Sequence, residues 1–299
     1  MDRRDFLRLS LAASAGAAVA ASSAEAAAAN PGPIDQRRVA AGLYGPVRES
    51  VQAMPRGARK GIGLGVGDKY SINQLDALNV NWFYTWGATY PDVRMTPGFV
   101  PMIWGRGGIE RGDVDEVVSE RGTTRARELL GFNEPDHPEQ AAMSVAEAIS
   151  YWPELQASGM RLGSPASVHP QGVWLKQFMD QAASKKLRVD FITMHSYSSP
   201  NSRAFLNNVQ RLHDRYRKPI WITEYAVADW KARPGSPSRY SEKQIMAFMR
   251  ETAAGLRRMP FVERFAWKTR EEGDPVMGAS ALFRKDGSLT RTGQLYRSL

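Results

Sequence analysis

Leu129-Leu130-Gly131-Phe132-Asn133-Glu134-Pro135 and Ile220-Trp221-Ile222-Thr223-Glu224-Tyr225 are two short apolar runs that each close on a glutamate. Runs of this length, bounded by turn residues, read as buried strands. The same rhythm continues outward from them. Residues 61–65, 82–86, 99–104, 128–133, 161–165, 191–197, 219–225 and 264–269 make eight candidate strands. Between them lie segments with helical spacing at 71–78, 144–156, 173–183, 204–216 and 241–258. In the second of these, Val145, Ile149, Trp152 and Leu155 form one apolar stripe, and Ser241 with Glu242 behind it is placed to cap the last. Alternating strands and helices predict a parallel sheet with helices outside it. Eight such units predict closure into a single (β/α)8 TIM barrel of the α/β class.

The competing arrangement is a doubly wound open sheet. Its fingerprint would be G-x-G-x-x-G after the first strand. Gly61, Gly63, Gly65 and Gly67 alternate, but Val66 and Asp68 stand where the third glycine of either register belongs. The pattern fails as a dinucleotide site and fits a small-residue first strand.

Barrel active sites lie at the C-terminal ends of the strands. The informative residues are therefore those that close each run. Strand four closes on Asn133 and Glu134, strand seven on Glu224. A carboxyl group at such a strand end is partly desolvated, and burial favours its protonated form, as a general acid requires. A second carboxylate that stays ionised can attack carbon. One acid/base and one nucleophile across a sugar are the requirement of retaining glycoside cleavage. A lone glutamate at a strand end is as readily an ion pair or a cap; the pair, with Asn133 before the first, is more specific. Asn133 can donate to a sugar 2-hydroxyl, and Pro135 ends the strand and fixes the turn behind Glu134.

Composition narrows the classes. The 299 residues are enough for one barrel of roughly 250 residues. The chain holds no cysteine, which removes disulfides, zinc thiolate sites, iron–sulfur clusters and thiol catalysis. The histidines are His137, His169, His195 and His213, with no HExxH pair among them. Ser164 lies in Gly163-Ser164-Pro165-Ala166, which lacks the G-x-S-x-G elbow of a serine hydrolase. The net charge of +9 comes from scattered lysines and arginines with short clusters such as Arg37-Arg38 and Arg257-Arg258. Without a stripe or a known module, that balance reads as a solvated surface rather than a nucleic-acid interface.

The first 30 residues read as an address. Arg3-Arg4-Asp5-Phe6-Leu7 precedes an Ala-rich run to about Ala21, and Ala24-Glu25-Ala26 offers small residues to a signal peptidase. This resembles a twin-arginine signal with Asp2 in place of the usual Ser or Thr. The expected partner is the Tat translocase, and the expected location is periplasmic or secreted. Residues 31–58, with Pro31, Pro33, Pro46 and Pro55, read as a linker and N-terminal strap with a short helix near 36–41. The catalytic domain is expected over 59–299.

Five segments carry a family resemblance. Gly131-Phe132-Asn133-Glu134-Pro135-Asp136, Phe191-Ile192-Thr193-Met194-His195-Ser196-Tyr197, Trp221-Ile222-Thr223-Glu224-Tyr225, Leu162-Gly163-Ser164-Pro165-Ala166 and Arg264-Phe265-Ala266-Trp267 resemble the Asl1-like catalytic domain, glycoside hydrolase family 128. The similarity spans residues 60–296. It implies the barrel clan with the acid on strand four and the nucleophile on strand seven. It also implies endo-action on β-1,3-glucan with no metal or other cofactor. Two positions depart from the family's pattern. Strand six there often carries His-Trp-Tyr where this chain has His195-Ser196-Tyr197. Strand eight usually continues Ala-Trp-Phe, whereas here it reads Ala266-Trp267-Lys268. Both places are expected to line the sugar cleft, where they would alter the subsites without touching either catalytic glutamate.

Several residues are candidates for substrate contact. His195 and Tyr197 close strand six. Tyr197 can donate to Glu224 and hold it ionised, and His195 can donate to a sugar or a carboxylate. Trp86, Trp104 and Trp267 each close a strand, where an indole can lie under the apolar face of a polysaccharide or oligosaccharide ring. For each tryptophan the other reading is plain core, which is the reading taken for Trp82, Trp221, Trp152 and Trp174. Two further functions stay open on the residues alone: a retaining glycosidase acting on another β-glycan, and a non-catalytic carbohydrate-binding protein on the same scaffold.

Overall fold

The computed structural model describes residues 57–65, 71–90 and 97–299. The export signal, the strap and the short helix expected within residues 1–56 lie outside them, as do Val66, Gly67 and Asp68.

Eight parallel strands form in chain order: β1 (Arg59–Gly63), β2 (Trp82–Tyr84), β3 (Gly98–Phe99), β4 (Glu128–Leu129), β5 (Arg161–Leu162), β6 (Ile192–Ser198), β7 (Ile220–Val227) and β8 (Val262–Trp267). Six of them are joined in the order β3-β2-β1-β8-β7-β6, and β4 pairs with β5. Single parallel bridges, Met102 to Leu130 and Gly163 to Phe191, link β3 to β4 and β5 to β6. With β1 already paired to β8, the ring is closed. The open sheet is thereby set aside.

Helices α1 (Ser71–Leu78), α5 (Val145–Ala157), α6 (Val173–Ser184), α7 (Ser202–Tyr216) and α8 (Glu242–Arg258) stand where the spacing predicts them. Ser241 caps α8, but its partner in the capping box is Gln244 rather than Glu242. Three short helices, α2 (Arg106–Arg111), α3 (Asp113–Ser119) and α4 (Arg121–Thr124), follow β3, and α9 (Arg291–Ser298) ends the chain. None of these four is predicted by the spacing. The segment that begins Arg106-Gly107-Gly108 carries two poor helix formers, and its helix depends on packing rather than propensity.

Two apolar layers follow from the strand alternation. Ile62, Phe83, Leu129, Ile192, Ile222 and Phe265 face outward into the core shared with the helices. Trp82, Tyr84, Val100, Met102, Leu130, Phe191, Trp221 and Ala266 fill the barrel. Such large rings fit inside because glycines oppose them. A Cβ on Gly61 would sit 2.2 Å from the Trp82 ring, and one on Gly163 2.6 Å from Phe191. The glycines of β1 are thus a packing requirement of the barrel interior.

Candidate active site

Both glutamates stand at the C-terminal mouth of the barrel. Glu134 is 4% exposed and Glu224 5%. The backbone brings each there by a local irregularity. Glu134 lies in the left-handed region with φ 41°, a conformation that costs a non-glycine residue energy and persists only where its surroundings hold it. Here the Glu134 N–H donates to Ala166 O at 2.8 Å, and the Asn133 N–H donates to Trp104 O at 2.8 Å. The next loop is tied to the loop that follows β5 through the Asp136 carboxylate, which accepts the backbone N–H groups of Val168 and His169 at 2.8 and 3.2 Å. Asp136 thus has a positional role in the loop behind Glu134.

Glu224 is turned by a bulge. In the β6–β7 ladder Met194 faces Ile222, but the next pair is His195 with Glu224, which leaves Thr223 as an extra residue. Strict alternation from the inward Trp221 would send Glu224 outward. The bulge resets the phase, so that Glu224 faces the mouth and Tyr225 packs outward on Phe205 and Phe248.

The two carboxylates differ in what surrounds them. At Glu224, Oε1 accepts the Trp86 indole N–H at 2.7 Å and the Tyr84 hydroxyl at 2.9 Å. Oε2 accepts the Tyr197 hydroxyl and lies 3.6 Å from the Lys268 ammonium. His195 Nε2 stands 3.7 Å from Oε1. Burial pushes the Glu224 carboxyl upward, but the charges of His195 and Lys268 and the donors Tyr197 and Trp86 outweigh it and hold the group at about 2. Among the described residues Glu134 has one side-chain hydrogen bond: its Oε1 lies 2.9 Å from His195 Nδ1. One imidazole therefore spans the two carboxylates. Burial lowers the basicity of His195, but the charge of Glu224 and the bond to Glu134 more than offset it and raise its pKa.

Of the other sequence candidates, Tyr197 meets Glu224 as expected. Asn133 is buried, and its Nδ2 donates to Gln140 Oε1 at 2.9 Å. Trp104 is half-buried against the aromatic plug of the barrel. Trp86 is at the site, but as a donor to Glu224 rather than as a bare platform. The Lys268 ammonium lies 3.7 Å from its ring centroid and closes that face to a sugar. Trp267 is a correction. It is wholly buried, its indole N–H donates to Ser280 O at 2.9 Å, and it packs on Tyr225 and Phe248. On β8, Ala266 and Lys268 point inward, so Trp267 points to the helix layer and cannot form a wall of the cleft.

One site residue was missed by the sequence reading and another was misread. Tyr84 lies inside an aromatic strand and looks like core; its parity with the inward Trp82 was the available signal. Lys268 is a correction: it is expected in the cleft wall without touching either catalytic glutamate, but its ammonium lies 3.6 Å from Glu224 Oε2. Trp230, beyond β7, is half-buried and donates its indole N–H to Tyr197 O at 3.1 Å, supporting that strand end. Among the described residues, no group of three or more acidic or histidine side chains is placed to hold a metal ion.

A family model described as the glycosyl hydrolase catalytic core matches residues 61–296. The alkali-sensitive linkage protein 1 of Schizosaccharomyces pombe is 28% identical over 250 residues, a match that takes in 80% of this chain and 43% of that protein. The chain thus spans less than half the length of that relative. A solved subgroup I endo-β-1,3-glucanase of glycoside hydrolase family 128 from Amycolatopsis mediterranei, in complex with laminaripentaose, is 34% identical. It superposes with a TM-score of 0.70, over 81% of this chain and 99% of that one. A subgroup II endo-β-1,3-glucanase from Sorangium cellulosum is 30% identical with a TM-score of 0.65, over 81% and 98%. The family-model match runs from the first strand into the last helix and carries both glutamate-bearing strands within it. The chain belongs to the glycosyl hydrolase catalytic core family, and within it to the Asl1-like glycoside hydrolases of family 128.

Proposed function

We propose that this glycoside hydrolase cleaves β-1,3-glucan internally and with retention, with Glu224 as nucleophile and Glu134 as acid/base. The observation that carries the roles is the inequality of the two carboxylates. A group held at about 2 by cations and donors is a stable anion and a weak base. It suits attack on the anomeric carbon and departure from it, and it suits poorly the activation of water that an inverting enzyme would ask of it. Glu134, with one neighbouring imidazole, is left for proton traffic.

In the first step Glu224 attacks the anomeric carbon while Glu134 protonates the leaving glycosidic oxygen. In the second, water attacks that carbon, its proton passes to Glu134, and the bonding pair returns to Glu224. The substrate class is supported by the two solved relatives at 30% identity or more, both described as endo-β-1,3-glucanases. For residues 1–30 the proposal is export by the twin-arginine route to the periplasm or medium, supported by Arg3-Arg4 and the Ala-rich run. A fusion to a reporter that folds in the cytoplasm would test it, with Arg3→Lys and Arg4→Lys together expected to retain the reporter inside.

The roles separate with azide and an activated aryl β-glycoside. The Glu134→Ala enzyme should form its covalent intermediate and stall, and azide should release the β-glycosyl azide. The Glu224→Ala enzyme should yield the α-azide by direct attack on the vacated face. One anomer from both variants would sink the assignment. On a panel of laminarin, curdlan, barley glucan, xylan and mannan, wild-type turnover is expected first on laminarin and curdlan, with internal cleavage products. Turnover of xylan or mannan in their place would overturn the substrate class.

A further inference from the structure

Lys268 supplies a charge that the two-step reaction does not itself require. It stands one residue beyond β8, and its N–H donates to Tyr225 O at 2.9 Å, continuing the ladder and turning the side chain inward. The side chain is 12% exposed. Its ammonium lies 3.7 Å from the Trp86 ring centroid and 3.6 Å from Glu224 Oε2. Trp86 in turn donates to Glu224 Oε1 at 2.7 Å. The three side chains close a triangle: the cation holds the indole by its face, the indole edge holds one carboxylate oxygen, and the cation attracts the other. Trp86 itself sits at φ 61°, a conformation that needs such holding.

We propose that Lys268 is a positioning residue for the nucleophile: its ammonium clamps Trp86 against Glu224 and speeds the departure of Glu224 from the glycosyl-enzyme. The proposal rests on the assignment of Glu224 as nucleophile. In the second step the bond between the anomeric carbon and the Glu224 oxygen breaks, and the pair of electrons goes to the carboxylate. Water forms the new bond and gives its proton to Glu134. A cation 3.6 Å from Oε2 of the carboxylate that receives the charge stabilises the transition state of that step. The same cation opposes the first step, in which that negative charge is consumed and positive charge grows on the sugar. Lys268 therefore shifts the balance of the two steps toward release.

Other groups face Glu224 and act on it in parallel: His195 and Tyr197 from β6, Tyr84 from β2, the Trp86 N–H, and Glu134 across the imidazole. Arg270, paired with Asp274 at 3.3 Å, is the next cation along the chain. None of these takes the place of the ammonium on the indole face.

The test compares wild type with K268M, which keeps length and removes charge, and with K268R, which restores charge. On an activated aryl β-glycoside, the second step limits the rate. K268M should lower kcat about tenfold and lower KM with it, as glycosyl-enzyme accumulates, and should show a stoichiometric burst of aryl leaving group. The acid limb of kcat/KM on laminarin should move up by about one pH unit or more, the least that losing a cation this close does to a carboxyl group. K268R should recover most of both effects. Should K268M not fold, K268Q carries the same expectations. A fall in kcat with KM unchanged or raised and an unmoved acid limb would make Lys268 merely structural and overturn the proposal. Peptide mapping of a trapped 2-fluoroglycosyl-enzyme keeps the two readings apart. A label on Glu224 with unchanged K268M kinetics ends this proposal alone, whereas a label elsewhere ends the assignment of Glu224 with it.

Discussion

The two ends of the barrel bury the same kinds of side chain to opposite effect. At the N-terminal end, Arg264 pairs with Glu128 at 2.8 Å and lies 4.0 Å over the Trp221 ring, while Arg161 and the Trp221 N–H both reach Glu263, at 3.1 and 2.7 Å. Burial draws Arg264 down to about 10, partly opposed by Glu128, so it remains charged at neutral pH. The aromatic rings seal that end, where Arg264 Nε is buried without a hydrogen-bond partner. At the C-terminal end, Glu224, Glu134, His195 and Lys268 are as deeply set, but they surround the mouth of the barrel. His195 Nε2 and Asn133 Oδ1 are buried there without a hydrogen-bond partner in the structure. Buried polar atoms left unpaired are costly, and at a substrate cleft they mark groups available to a ligand. The lesson is that neither buried charge nor an unpaired polar atom identifies a site by itself; its place at the open mouth of the barrel does.

That contrast breaks if the ends exchange behaviour on mutation. Glu224→Ala should cut laminarin turnover by more than about a thousandfold, equivalent to roughly 4 kcal/mol of transition-state stabilisation, while the chain still unfolds cooperatively. Glu128→Ala should do the reverse. It strands Arg264 as a buried unpaired cation and should cost about 3–5 kcal/mol of stability, with kcat of the folded fraction unchanged. Urea unfolding and turnover measured on both variants decide the matter. A Glu128 variant that folds normally and is inactive would mean that the lower network reaches the chemistry.

The tryptophans sharpen the same comparison. Trp267→Ala should open a cavity beneath Tyr225 and Phe248 and cost about 3–5 kcal/mol of stability. Trp86→Phe keeps a ring under Lys268 and removes only the N–H donated to Glu224. It should cost roughly 1.5–3 kcal/mol in the transition state, or about ten- to a hundredfold in kcat/KM, with little change in stability. Weakened glucan binding without destabilisation in the Trp267 variant would return that residue to the cleft.

The division between what was and was not legible in the sequence follows from physical causes. The barrel was legible because eight apolar runs alternate with helical stripes, a pattern that packing itself imposes. Glu134 and Glu224 were legible because each interrupts such a run at its end. Trp267 was misread because position at a strand end says nothing of which face a residue takes. The small Ala266 between Phe265 and Trp267 held that information, since a narrow barrel interior favours the small residue inside. The bulge at Thr223 left no mark in the sequence, although it alone turns Glu224 to the mouth. Tyr84 was missed and Lys268 was misread because their roles depend on a partner, Glu224, that lies 140 and 44 residues away in the chain.

The acid limb of stability offers the finest separation of the two ends. Glu224 has its pKa depressed in the folded chain, from an ordinary 4.5 to about 2, despite burial and chiefly through His195 and Lys268. A depressed carboxyl contributes stability above its unfolded pKa and loses it as pH falls toward the folded value. The unfolded chain takes up the proton first, over the window from about 5 to about 2. His195, whose pKa is raised, follows the opposite rule: its contribution is full below the unfolded value near 6.5 and is lost only as pH rises through the folded one. It is protonated in both states below pH 5 and adds no slope there. Between pH 5 and pH 3, wild type should therefore lose about 2 kcal/mol through Glu224 that Glu224→Gln does not lose. Urea midpoints for both proteins at four pH values give the difference, read from pH 5 downward so that wild-type His195 adds no slope, because the lower network and the surface carboxylates titrate alike in each. Parallel curves would show that Glu224 is not held as an anion by its neighbours, and would remove the distinction between the two glutamates on which its role as nucleophile depends.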